Sequence, residues 1–100
     1  MNEQELENLI KQKHLNAPRI TPDWIDSRIV NETYTKLPSG KVMICELTLV
    51  NGFTVRGEAA VVSKENFNEE IGMTISRKNA RDKIWELEGY LLQEACGTIA

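Results

Sequence analysis

The chain has 100 residues, 27% of them charged, with 12 basic and 15 acidic side chains and a net charge of −3. That length makes one modest domain, which hides only about 60–65% of the surface its unfolded form exposes, so packing against a second copy would add useful burial. The mild acidic balance excludes a nucleic-acid mimic and has the wrong sign for a duplex-coating protein.

Residues 2–15 place Leu6, Leu9, Ile10 and Leu15 at helical spacing, with acids early and lysines late, as the helix dipole prefers. Residues 1–16 are therefore expected to form an N-terminal helix, amphipathic and free to fray, and its mix of acids, amides and lysines lacks the apolar block of a signal peptide. Ala17–Ile20 reads as an extended link. Thr21, Pro22 and Asp23 then satisfy three helix-start preferences, so a second helix should carry Trp24, Ile25 and Ile29 to about Val30.

Two β-rich runs between Lys41 and Val62 meet at Asn51-Gly52, the pair favoured in two-residue hairpin turns. A two-residue loop sets Val50 opposite Phe53, Thr48 opposite Val55, Glu46 opposite Gly57, Ile44 opposite Ala59 and Val42 opposite Val61. One face is then almost wholly apolar, while the other sets Met43, Cys45, Leu47 and Leu49 beside Thr54, Arg56 and Glu58. A strand apolar on both sides belongs at the centre of a sheet, and Thr33–Leu37 supplies a third strand through the Pro38-Ser39-Gly40 turn. In this register Glu46 points into the apolar face. It reads either as a ligand-contacting acid of raised pKa or, more simply, as a group brought to the edge by a bulge or paired with a lysine.

Ser63 offers a cap for a short turn through Phe67, and Asn68 a second cap before a longer helix. Ile71, Ile75, Ala80, Ile84, Leu87 and Leu91 then form one stripe. Drawn as a single rod, residues 69–95 reach about 40 Å, with Gly72 and Gly89 marking either bends or close backbone approach and Gly97 a stop. The architecture expected is α+β: N-terminal helices, a three-stranded antiparallel β-meander and a long C-terminal helical region packed on the sheet. Residues 17–96 make the single domain and 97–100 a frayed tail.

The segment NGFTVRGEAAVVSKENFNEEIG from Asn51, followed by IWELEGYLL from Ile84 and preceded by APRITPDWI from Ala17, resembles the small phage protein family named after gene product 49 of one short-tailed phage and gene product 66 of another. The likeness runs from Ala17 to Leu92. Lys64 stands where the family commonly has proline and Asn68 where it has aspartate, and neither change threatens a helix start. The resemblance implies a tailed-phage or prophage origin and action in the bacterial cytoplasm. It brings no catalytic residue to transfer.

The chemistry-bearing residues point away from an enzyme. His14, the sole histidine, lies in the first helix, and Cys45 and Cys96 are far apart, so neither nucleophilic triads nor zinc ligand sets assemble. Cys45, inside an apolar run, reads as a small buried hydrophobe. A carboxylate-bound magnesium ion stays open. Glu46 and Glu58, the one carboxylate pair worth weighing, emerge on opposite faces in the derived register. No catalytic, cofactor or metal residues are assigned, and no cofactor is expected.

Arg77, Lys78, Arg81 and Lys83 form a basic strip, the one feature in favour of nucleic acid, but ion pairs with Glu69, Glu70, Asp82, Glu86 and Glu88 on the same helix explain it about as well, and nucleic acid is not the expected partner. Apolar runs of only a few residues exclude a membrane partner. Two functions remain. In one, a homo-oligomeric module grips a host or defence protein in host takeover or counter-defence, with Trp85, Gly89 and Tyr90 as an aromatic anchor or, more simply, as core or a dimer seam. In the other, subunits sequester a small nucleotide immune signal, with Arg56, Arg77 or Arg81 on phosphate and Trp85 or Tyr90 stacking a base. A minor virion component is a third option. The candidate contacts are Arg56, Glu58, Arg77, Arg81, Trp85, Glu88 and Tyr90.

Overall fold

The computed structural model describes residues 1–15 and 17–97. The domain boundary placed at residue 16 and the tail beyond Gly97 lie outside the described residues.

Helix α1 spans Glu3–Gln12, with the Asn2 side chain accepting from the Glu5 N–H. It is shorter than the sequence pattern suggests: His14 lies beyond it at φ 54°, a left-handed position that ends the helix. Helix α2, Pro22–Ser27, starts as expected, Thr21 Oγ1 accepting from the Trp24 N–H at 3.1 Å. It also ends earlier. Ile29 and Val30 belong to strand β1, Ile29–Lys36, which begins four residues before the expected Thr33. The β-branched pair is better served by the sheet, where the Arg28 carbonyl already accepts from the Val50 N–H.

Strands β2, Val42–Leu49, and β3, Thr54–Ala60, complete an antiparallel sheet in the order β1-β2-β3. The meander is as expected, and the Leu37–Val42 turn carries Gly40 at φ 74°. The β2–β3 register is not. Leu47 faces Val55, Cys45 faces Gly57 and Met43 faces Ala59, one position away from the expected pairs, and Val50 does not face Phe53. The Gly52 N–H donates to the Leu49 carbonyl and the Leu49 N–H to the Phe53 carbonyl, so the loop holds three residues, Val50, Asn51 and Gly52, with Gly52 at φ 90°. This is a type I turn closed by a glycine bulge.

The shift changes which side chains share a face. Met43, Cys45, Leu47 and Leu49 now lie with Val55 and Ala59 as one buried layer. Glu46 is not in that layer: it lies opposite Arg56 on the other face, 3.1 Å from its guanidinium, and Glu58 is on that same face.

A 3₁₀ turn over Lys64–Asn66 follows without a side-chain cap from Ser63. Helix α3 then runs unbroken from Glu69 to Cys96, about 42 Å at the usual rise, capped by Asn68 and ended by Gly97 at φ 64°. Its buried line is Gly72, Ser76, Ala80, Ile84 and Glu88, not the larger stripe expected: Ile71 is 59% exposed, and Ile75, Leu87 and Leu91 also face outward. The reason is distance. A Cβ on Gly57 would come within 2.1 Å of the Ala80 backbone nitrogen and 2.5 Å of the Ser76 carbonyl oxygen, so helix and strand touch backbone to backbone. Only small residues fit that seam. Beyond it, Ile84 joins Ile25, Cys45, Leu47, Leu49 and Val55 in the core, with Ile20, Ile29, Tyr34 and Trp85 around them.

Because the obstruction at Gly57 is backbone, repacking cannot relieve it. Gly57→Ala is expected to destabilise the chain by about 3 kcal/mol or more. Gly89→Ala, where an added Cβ meets nothing within 4 Å, should raise stability by about 0.5–1 kcal/mol. Urea denaturation of both variants checks the contrast.

Candidate functional site

Helix α3 positions most of the polar side chains, and its ridges send them to different places. The ridge of Met73, Arg77, Arg81 and Trp85 leans toward β1 and α2. Arg77 Nε lies 3.2 Å from Glu32 Oε1, and the Tyr34 hydroxyl donates to the other Glu32 oxygen at 2.5 Å. One turn on, Arg81 holds Asp26 of α2 through Nε at 2.9 Å and Glu3 of α1 through two nitrogens at 2.8 and 3.1 Å. A single guanidinium thus ties three helices together, a geometry that suits its planar fork. Between these groups and β1 runs a groove of about 870 Å³.

A second groove, of about 490 Å³, lies where α2 meets the far end of α3. Pro18, Ile20, Trp24 and Leu91 line it with Arg28 and Glu88. Glu88 is only 6% exposed. Its Oε1 accepts from the Trp24 indole N–H at 2.7 Å and lies 3.2 Å from Arg28 Nε, a contact of charges without hydrogen-bond geometry. The Arg28 guanidinium sits 5.1 Å from the Trp24 ring centroid, a cation–π pair one helical turn apart. Carboxylate, indole and guanidinium form a clamp between α2 and α3.

The remaining candidates are not gathered here. Arg56 and Glu58 belong to the opposite face of the sheet, where Arg56 pairs with Glu46. Trp85 is partly buried and packs against the core. Tyr90, 68% exposed, comes two residues after Glu88 and so stands about 200° round the helix, away from the second groove. Sequence reasoning missed Trp24, Arg28, Glu3, Asp26 and Glu32. Only the four-residue Trp24–Arg28 spacing carried a local signal; the others meet their partners across long chain separations.

Ionisation follows these contacts. The Tyr34 hydroxyl, and then Arg77, hold the Glu32 carboxyl below its ordinary value of 4.5, while burial and the neighbouring carboxylate push the Tyr34 phenol up. Glu3 hydrogen-bonded to Arg81, and Asp26 after it, reinforce that guanidinium's charge. Burial pushes the Cys45 thiol up, as suits an inert core side chain. Among the described residues there is no cluster of three His, Cys, Asp or Glu side chains able to hold a metal, and no helix long and apolar enough to cross a membrane.

One helix laid across a three-stranded meander, with two grooves along its flank, defines a small α+β protein whose arginines serve as internal ties. The chain belongs to the Phage protein (N4 Gp49/phage Sf6 gene 66) family, whose model matches residues 20–96, the span covering α2, the sheet and the whole of α3. Comparison with curated proteins and with solved structures gives no match.

Glu88→Ala leaves the indole N–H and the Arg28 charge without their acceptor and is expected to cost about 3 kcal/mol in urea denaturation. Trp24→Phe, which keeps a ring and removes one donor, should cost about 1 kcal/mol.

Glu32 sets an acid dependence of known sign. Its pKa is lower folded than unfolded, so its contribution is complete above about pH 4.5 and vanishes as pH falls through the lower folded value. Denaturation midpoints should drop across that window, and Glu32→Gln should flatten the drop.

Proposed function

We propose that this phage protein is a non-enzymatic binding protein that acts on a host or defence protein in the cytoplasm of the infected cell. The observation that carries this reading is the groove beside Trp24. Pro18, Ile20, Trp24, Leu91 and Leu92 give it apolar walls beside Arg19, Arg28 and Glu88, Trp24 is 46% and Leu91 54% exposed, and Glu88 ties the indole to α3. A preformed apolar slot with an aromatic wall suits an anchoring side chain from another protein. The chain's own charges support the same reading. Arg28, Arg56, Arg77 and Arg81 each engage a carboxylate within the chain, which draws them away from roles in chemistry or phosphate capture.

Sequestration of a nucleotide signal has one observation in its favour, the 870 Å³ groove with Arg77, Lys78, Arg81 and Tyr34 on its walls. Glu3, Asp26, Glu69 and Glu70 line the same groove, so a phosphate would meet four carboxylates against three cations. That balance favours the protein-binding reading.

The test is recovery of the tagged chain from infected cells, identification of the captured protein by quantitative mass spectrometry and titration of that protein in purified form. Leu91→Glu should weaken its affinity at least about tenfold, while Tyr90→Ala, on the far side of α3, leaves it unchanged. Equal affinity for Leu91→Glu overturns the reading. So does saturable thermal stabilisation of the chain by cyclic dinucleotides or NAD-derived messengers.

A further inference from the structure

The two edges of the sheet are treated differently. In the ladder, the Leu37 N–H donates to Val42 and the Leu49 N–H to Phe53, which fixes the alternation of backbone groups. From Asn31 onward the odd residues of β1, like those of β3, bond to β2, and even residues point outward. On β3 the outward carbonyls of Glu58 and Arg56 are taken by α3: Asn79 Nδ2 donates to the first at 2.8 Å, and Lys83 Nζ donates to the second. Helix α3 thus covers that edge's two central carbonyls. On β1 the outward groups belong to Glu32, Tyr34 and Lys36, and among the described residues no other backbone or side chain takes them. The first groove leaves space above Tyr34 on the helix side.

We propose that a second copy of this chain pairs with β1 through its own β1, antiparallel about Tyr34, giving a two-fold dimer with a continuous six-stranded sheet. The inference is independent of the host-protein reading. Its register comes from parity and charge. Outward groups must meet outward groups, so even residues pair with even. Centring on Tyr34 sets Glu32, which also holds Arg77, opposite the partner's Lys36, whose one carboxylate partner among the described residues of its own chain, Glu69, is 3.9 Å away, and Lys36 likewise opposite the partner's Glu32; each Tyr34 exchanges backbone bonds with its copy. A register one step earlier sets Glu32 opposite Tyr34 and Lys36 opposite Val30, and two steps earlier sets Glu32 against Glu32. One step later reaches Pro38, which has no N–H to donate. The bulge between Ile29 and Asn31 ends the regular edge at its other side. The strand is therefore complementary to itself in one register.

Sedimentation of the full chain should show a dimer. Lys36→Glu, which sets like charges opposite each other twice, should weaken dimerisation at least about tenfold, and Glu32→Lys should do the same. Mixing the two variants should restore a dimer, because each carries the charges the other lacks; a merely structural defect would persist in the mixture. On the solvent face, Thr33 falls opposite the partner's Thr35 as a close, non-hydrogen-bonded pair. In a Cys96→Ser background, a mixture of Thr33→Cys and Thr35→Cys chains should oxidise to a disulfide-linked dimer that neither forms alone. A native chain that stays monomeric across the accessible concentration range overturns the proposal. Failure of the charge variants to rescue each other, or cross-linking of Thr33→Cys to itself, also overturns it.

Discussion

The backbone contact between Gly57 and the Ser76–Ala80 turn of α3 is the constraint on which the rest of the molecule depends. With helix and strand so close, the line facing the sheet has to be small, which is why Gly72, Ser76 and Ala80 are buried in place of the isoleucines beside them. The same closeness carries Asn79 and Lys83 down onto the outer carbonyls of β3. A helix held farther off by bulky side chains could not reach them. The arrangement that covers the central carbonyls of one sheet edge displaces the helix from the other, so β1 is left beside a groove.

Much of this architecture was legible. Thr21, Asn68 and Gly97 mark helix limits through local chemistry, with side chains or a left-handed residue satisfying backbone groups within a turn, and the structure puts each in that role. The meander was legible because β-branched runs and turn residues alternate. The hairpin register was not, because Asn-Gly serves both a two-residue loop and a three-residue loop closed by a bulge, and the choice moves every cross-strand pair by one. The difficulty it created was visible in the chain itself. A two-residue loop leaves β2 apolar on both faces and buries Glu46, whereas the observed loop unites the apolar sides of β2 and β3 and gives Glu46 an arginine. Consistency between neighbouring strands was the stronger signal, outranking the preference of one dipeptide.

The grooves were less legible than the fold, and for a different reason. From sequence, the basic strip at residues 77–83 reads as pairing with acids of its own helix, and of those pairs Lys78–Asp82 forms. In space its members diverge, because successive residues on a helix leave at about 100° intervals. Arg77 goes to β1, Arg81 to α1 and α2, Lys83 to the edge of β3, and Lys78 to Asp82 on the helix surface. The acids that neutralise Arg77 and Arg81 come from Glu3, Asp26 and Glu32, all more than forty positions away. Local charge patterns cannot report partners at that separation, so a strip that reads as pairing along one helix works as a set of internal ties.

Helix α2 is the joint between the two surfaces. Within six residues it sends Trp24 to Glu88 at the second groove, Ile25 to the core and Asp26 to Arg81. Arg28, which caps it, pairs with Glu88 through its side chain and with Val50 through its carbonyl. The next residue, Ile29, opens β1. The groove and the open strand are therefore joined by one short rigid segment fastened at both ends to α3 and to the hairpin. The strand's outward groups, from Glu32 to Lys36, lie farther along and are not among the groove's lining. The groove and the strand's outward groups thus share no residue, although α2 adjoins both.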